Sequence, residues 1–243
     1  MSALDDVVLR IEAVALLRRL KKYFKYKELG DHFGLDVPLL SKYVRGRLLP
    51  GRKRAREIIE KTYDLIDMDQ VLKDSLAPSI YNFFDLTNLS ATSPDLLLYT
   101  AIQAYRIYKN SRITKILSLE GGGLIIAALI AAFLNKRLVY AIRDHYIADA
   151  IIEPYPALTG AAAKYTTFIA LPKKSISPED NLLIVDDIIY TGSTIKILLK
   201  IVEKIGSSVT GIFCLGVVSE KAVKSIEKEF GVKVRHLIKS KLI

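Results

Sequence analysis

Two adjacent carboxylates, Asp186 and Asp187, close the apolar run Leu182-Leu183-Ile184-Val185, and Thr191, Gly192, Ser193 and Thr194 follow after three intervening residues. The run reads as a buried strand that delivers both acids at its C-terminal end, and the polar quartet stands where a helix begins. Backbone N–H groups and hydroxyls at a helix N-terminus make a cradle for phosphate, and Gly192 lets a ligand approach the backbone. Carboxylates do not favour a phosphate directly. They accept hydrogen bonds from sugar hydroxyls, or hold a magnesium ion partly through water. A phosphate and a diol on one ligand describe a ribose 5-phosphate. An Asp-Asp pair alone is common at strand ends; the thirteen residues 182–194 together, strand, acids, Tyr190 and turn, are specific.

A second loop, Glu120-Gly121-Gly122-Gly123, follows the apolar stretch 113–119 and precedes the apolar stretch 124–135. Three glycines before a helix offer backbone donors at the positive end of its dipole. A third constellation is electrostatic. Residues 42–56 carry Lys42, Arg45, Arg47, Arg52, Lys53, Arg54 and Arg56 and no acid. Such a block is either a solvated face or the footprint of a nucleic-acid binder.

The elements that must position these groups fall into two regimes. Apolar residues Val7, Val8, Ile11, Val14, Ala15, Leu17 and Leu20 follow helical spacing. Helices are then expected over 26–33, stopped by Gly34, over 37–44, opened by Asp36 and Pro38, and over 52–65. Helix, Gly-containing turn and short helix is the outline of a helix-turn-helix unit. Pro78, Ser79, Thr92, Ser93 and Pro94 punctuate a mixed stretch, and the boundary is drawn there: 1–66, a connecting segment 67–93, and 94–243. In the last part a helix (95–109) precedes strands over 113–119, 138–142, 166–171, 181–185, 209–217 and 232–238. Helices over 124–135, 193–205 and 220–230 alternate with them, and a long polar excursion covers 143–164. Apolar strands alternating with helices argue for an α/β fold, a mostly parallel sheet covered on both faces.

Composition narrows the function classes. With 243 residues, 51% hydrophobic and 26% charged, the chain can bury a large core. One cysteine, Cys214, excludes an internal disulfide or a cysteine-based zinc site. Asp5 and Asp6 stand where a secretory leader needs basic and then apolar residues, and the longest apolar run, 124–134, is too short to span a bilayer, so a cytoplasmic protein is expected. The net charge of +10 is concentrated early: residues 1–66 hold 15 Lys/Arg against 9 Asp/Glu.

The run from Leu182 to Thr194 resembles the phosphoribosyl pyrophosphate motif of type I phosphoribosyltransferases, and the resemblance spans roughly 94–243. It implies that Asp186 and Asp187 hold the ribose hydroxyls and that residues 191–194 hold the 5-phosphate. It also implies that Glu120, Gly121, Gly122 and Gly123 form the pyrophosphate loop, with Mg²⁺ as cofactor. Where the family often carries Arg-Lys after the next strand, this chain has Arg143-Asp144, and an acid there opposes charge development on the leaving group. The following stretch matches the family's lid, with Lys164 its one basic residue and His145 a loop histidine. If the chain is an enzyme, Asp186, Asp187, Arg143 and Lys164 are the residues expected to serve catalysis.

Residues 27–50 resemble phage-repressor-type helix-turn-helix domains. Leu29, Phe33, Leu35, Leu40 and Val44 would lock the helix pair, leaving Leu39, Ser41, Lys42 and Arg45 outward for base edges. Arg47, Arg52, Lys53, Arg54 and Arg56 suit backbone phosphates. The two halves together resemble phosphoribosyltransferase-type transcription regulators, such as purine-operon repressors and a related archaeal group. That resemblance implies a homodimer on a palindromic duplex operator, sensing phosphoribosyl pyrophosphate or a nucleotide. The alternatives are an active purine or orotate phosphoribosyltransferase with an accessory helical domain, and an RNA-binding attenuator.

Overall fold

The computed structural model describes residues 2–76, 86–143, 149–155 and 167–239, with the backbone alone at 87, 88 and 167. Two compact units, Met1–Ile102 and Gln103–Ile243, make up the chain.

In the first unit α1 (Ala3–Leu20) starts at Ser2, whose hydroxyl and Asp5 close a reciprocal capping box. Helices α2 (Tyr26–Phe33), α3 (Val37–Val44) and α4 (Arg52–Thr62) follow. Asp36 caps α3 through the N–H of Leu39 at 2.7 Å, with Pro38 in the first turn. Leu29, Phe33 and Leu40 are buried as the pattern requires, and Tyr43 joins them; Leu35 and Val44 are only half-buried. The stretch expected to connect the two regions holds α5 (Met68–Ser75) and α6 (Leu86–Thr92). The division between units falls inside α7 (Pro94–Tyr108), not at 93/94. A physical reason is visible: buried Arg19 of α1 donates to the carboxylate of buried Asp95 at 2.8 Å, tying the first turn of α7 to the helical unit.

The second unit is α/β, as expected. A five-stranded parallel sheet runs in the order β2 (Arg137–Ala141), β1 (Lys115–Leu119), β5 (Asn181–Val185), β7 (Ser208–Cys214), β9 (Val234–His236). Alternate residues face opposite ways. Leu182, Ile184, Ile212 and Cys214 join one buried cluster with α9 (Ser193–Ile205), while Phe213 meets Tyr108 edge to face at 6.5 Å. Gly211 leaves room for that tyrosine, since a Cβ there would lie 2.9 Å from its hydroxyl. Burial pushes the Tyr108 phenol up to about 12. It stays protonated and donates to the carbonyl of Ile212 at 3.2 Å.

One expectation needs correcting. The polar excursion over 143–164 contains a strand, β3 (Ala150–Tyr155), paired antiparallel with β4 (Thr167–Pro172) in a separate ribbon. β4 therefore does not belong to the parallel sheet; an Ile142–Ala170 bridge is what meets it after β2. Pro154 removes an N–H, which a two-stranded ribbon tolerates on its open edge. Short strands β6 (Ile188–Ile189) and β8 (Gly216–Val217) pair beyond the main sheet, and α8 (Gly122–Leu134) and α10 (Glu220–Phe230) complete the unit.

The approach to β5 is anchored by Asp180. Its buried carboxylate accepts from Lys115 Nζ at 2.6 Å, Thr114 Oγ1 at 2.7 Å and the N–H of Ser177 at 2.8 Å. Burial pushes this carboxyl upward, but those donors outweigh it and hold it at about 2. The folded value lies below the ordinary one, so its stabilisation is present above about pH 4 and lost as pH falls towards 2. Asp180→Ala is expected to cost roughly 2–4 kcal/mol at pH 7, because Lys115 then loses its buried partner. Urea melts at pH 7 and pH 3 check this, with the difference between variant and parent shrinking in acid.

Candidate functional site

The strand β5 ends by design of its own sequence: after four buried apolar residues the acids cannot continue into the core. Asp186 donates its N–H to the carbonyl of Phe213 at 3.0 Å, the last rung before the chain turns away. Its carboxylate accepts the N–H of Asp187 at 3.0 Å, and the Asp187 carboxylate accepts the N–H of Ile188 at 2.7 Å. The carbonyl of Asp187 takes Leu215 N–H at 2.8 Å, so the pair is pinned at two points from the end of β7. Burial pushes the Asp186 carboxyl well up, and the facing Asp187 charge adds to it; burial also raises Asp187. Two acids held against their own charge await hydroxyl donors or a cation.

Tyr190, Thr191, Gly192, Ser193 and Thr194 follow in a turn that opens α9. Gly192 takes φ 77° and its carbonyl starts the helix through Lys196 N–H at 3.0 Å. The hydroxyls of Thr191 and Ser193 lie 2.9 Å apart. A cavity of about 70 Å³ is lined by Asp186, residues 188–195 and Tyr155. The structure thus gathers one carboxylate and the whole polar turn around a single hollow.

The glycine loop reaches the same place from β1. Gly123 packs against the acid itself: a Cβ there would lie 2.8 Å from both Asp186 Cα and its Oδ1. Glu120 and Arg143 form a clasp at the loop's start. The Arg143 N–H donates to Glu120 Oε1 at 2.7 Å, and Arg143 Nη1 donates to the Glu120 carbonyl at 2.9 Å. Gly121 is exposed and Gly122 half-buried at the first residues of α8. Asp144, His145 and Lys164 lie outside the described residues. Sequence reasoning missed Tyr155, whose ring faces the Arg143 guanidinium at 5.9 Å and whose hydroxyl is 3.4 Å from Thr194 Oγ1. Its partners stand 12 and 39 residues away, and only the unforeseen β3 brings them together.

Among the described residues no group of three or more His, Cys, Asp or Glu could cage a metal. Asp186 and Asp187 alone do fit magnesium held partly through water and a ligand's own oxygens, the usual manner of that ion. Among the described residues no helix is long and apolar enough to cross a membrane.

In the helical unit, Lys42, Arg45, Arg47, Lys53 and Arg56 are exposed and Ser41 is half-buried. Arg52 is exposed, with Asp6 at 3.9 Å. Arg54 differs: half-buried, it pairs with Glu57 at 2.8 Å and donates to the carbonyl of Phe33, which makes it an internal tie between α4 and α2. Arg18, not singled out by the pattern, donates to the carbonyl of Val44 at 2.9 Å and so closes the end of α3.

This geometry is a parallel α/β sheet that carries two acids and a hydroxyl-rich turn at the end of one strand, beside a glycine loop. Residues 97–240 match the phosphoribosyl transferase domain, and the chain belongs to that family. A xanthine phosphoribosyltransferase of Lacticaseibacillus casei is 33% identical over 136 residues, 56% of this chain and 69% of that protein. An adenine phosphoribosyltransferase of Blochmanniella pennsylvanica is 28% identical over 158 residues, 64% of this chain and 82% of that one. In fold, the adenine phosphoribosyltransferase of Thermoanaerobacter pseudethanolicus superposes with a TM-score of 0.59 at 20% identity, covering 70% of this chain and 98% of that one.

Proposed function

We propose that the chain binds phosphoribosyl pyrophosphate with Mg²⁺ and transfers its phosphoribosyl group to a purine base. This replaces the sensor-first expectation, because the relatives named above are purine phosphoribosyltransferases. The observation that carries it is the convergence of Asp186 and the 191–194 turn on one hollow, with Gly123 of the glycine loop packed against Asp186. In the reaction a ring nitrogen of the base bonds to ribose C1, the C1–O bond to pyrophosphate breaks, and the nitrogen's proton passes to solvent. Asp186 and Asp187 hold the ribose hydroxyls, and the 191–194 turn fixes the 5-phosphate, so the sugar is presented in one orientation. Glycine-loop N–H groups and Arg143 face the departing pyrophosphate. Magnesium, when bound, neutralises charge on that group, with Asp186 and Asp187 as its holders through water.

A turnover assay with phosphoribosyl pyrophosphate, Mg²⁺ and adenine, guanine, hypoxanthine, xanthine or orotate tests this beside a calorimetric titration. Turnover on the order of 1 per second or faster with a purine is expected. Tight binding without turnover of any base would instead select a sensor.

A second reading is favoured by one observation: Lys42, Arg45 and Arg47 are exposed on and just after α3, beside exposed Lys53 and Arg56. On it, the helical unit of a homodimer binds duplex DNA, and phosphoribosyl pyrophosphate is the ligand that modulates this. Arg45→Ala is then expected to relax sequence preference, whereas Lys53→Ala and Arg56→Ala weaken all sequences alike. Each lost phosphate contact lowers the salt slope by about one unit. Footprinting of the upstream region at several salt concentrations decides; no protected sequence, with or without phosphoribosyl pyrophosphate, removes this reading.

A further inference from the structure

Tyr155 stands at the end of β3 with one atom group on each side of the site. Its hydroxyl lies beside Thr194 at the start of α9, and its ring faces the guanidinium of Arg143, which is clasped to Glu120 before the glycine loop. The hydroxyl pair is 3.4 Å apart, long for an O–H···O bond, whose usual separation is about 2.7–2.8 Å. The bond between them is weak at that length, so either hydroxyl can give it up to donate into the hollow that both line. A ring face about 6 Å or less from a guanidinium carbon is a cation–π contact. It orients Arg143 without using any of its N–H donors.

We infer that Tyr155 is a binding and positioning residue that touches both phosphate sites: its hydroxyl donates to the 5-phosphate seated on 191–194, and its ring aims Arg143 at the pyrophosphate on the glycine loop. The inference rests on the proposed phosphoribosyl pyrophosphate site. Its two halves separate by chemistry. Tyr155→Phe keeps the ring and removes the donor; Tyr155→Leu removes both.

The probes are ribose 5-phosphate alone and Mg²⁺-pyrophosphate alone, titrated calorimetrically into the full chain. Tyr155→Phe is expected to weaken ribose 5-phosphate about tenfold, the worth of one hydrogen bond to a charged group, and to leave pyrophosphate unchanged. Tyr155→Leu is expected to weaken both. In the Thr194→Ala background the Tyr155→Phe effect should shrink, because the two hydroxyls act on one group. Thermal melts of each variant confirm folding, and Tyr155→Phe, with nearly unchanged volume, keeps the test available if Tyr155→Leu does not fold. Unchanged ribose 5-phosphate affinity in Tyr155→Phe overturns the donor role, and unchanged pyrophosphate affinity in a folded Tyr155→Leu overturns the positioning role. A parent protein that binds neither probe overturns the site reading itself and this inference with it.

Discussion

Asp186→Asn is expected to raise the melting temperature of the ligand-free protein while weakening phosphoribosyl pyrophosphate by more than tenfold. Asparagine keeps the oxygen that accepts the N–H of Asp187, so the local backbone is preserved. What it removes is a charge that burial and the adjacent carboxylate both oppose. The sign follows from linkage. A carboxyl raised by folding is at its most favourable below the unfolded value, near pH 4, and its contribution is lost as pH rises through the folded value. The gain from the substitution should therefore be largest at pH 7–8 and fade towards pH 4. Each kcal/mol recovered appears as about 2–4 °C in a chain of this size. The ligand loses a charge-assisted bond at the same time. Calorimetric melts at pH 4 and pH 7.5, beside a titration, measure both; an unchanged or lowered melting temperature at pH 7.5 would reject the charge-strain account.

Gly123→Ala is the second large effect. The added methyl would lie 2.8 Å from Asp186 Cα and 3.1 Å from its carbonyl carbon, and these are backbone atoms that cannot swing aside. Helix α8 or the end of β5 must shift instead, at about 1–3 kcal/mol. The shift moves the acid out of its place in the proposed ribose site, so ligand affinity is expected to fall by tenfold or more through geometry alone, with both carboxylates intact. Gly51→Ala is the comparison: its Cβ meets nothing within 4 Å, and losing glycine at the N-cap of α4 should cost about 1 kcal/mol without touching the site. Loss of phosphoribosyl pyrophosphate binding in Gly123→Ala, with Gly51→Ala unaffected, supports the packing argument. Equal behaviour of the two variants rejects it.

These effects sit in the part of the molecule that was most legible in the sequence. Strand β5 and helices α9 and α10 have the bounds that the pattern predicts, because a continuous apolar run, two acids and a Thr-Gly turn all mark the same junction. The glycine loop was legible by its place after β1. Its packing against Asp186 was not, since 63 residues separate Gly123 from that acid and no local signal records a close backbone approach. Strand β4 was legible over 166–171, but its partner β3 was hidden by Pro154 and by a polar neighbourhood, and with it went Tyr155. In the helical unit the charge block was visible as seven bases. Which of them bond within the unit was not: Arg54 is an internal tie because Glu57 and the carbonyl of Phe33 lie within its reach, a fact of tertiary distance.

Gly192 adds a thermodynamic point. Its Cα rests on α10: a Cβ there would lie 2.9 Å from Ile226 Cδ1 and 3.4 Å from the Ala222 methyl. The 191–194 turn, the proposed phosphate seat, thus leans on a helix at its back with its hydroxyls already gathered. A preformed cradle surrenders little conformational entropy on occupation, so affinity for a small anion need not be spent on ordering the chain. Phosphate esters that differ only beyond C5 of the sugar should then enter at similar rates and differ chiefly in how long they stay.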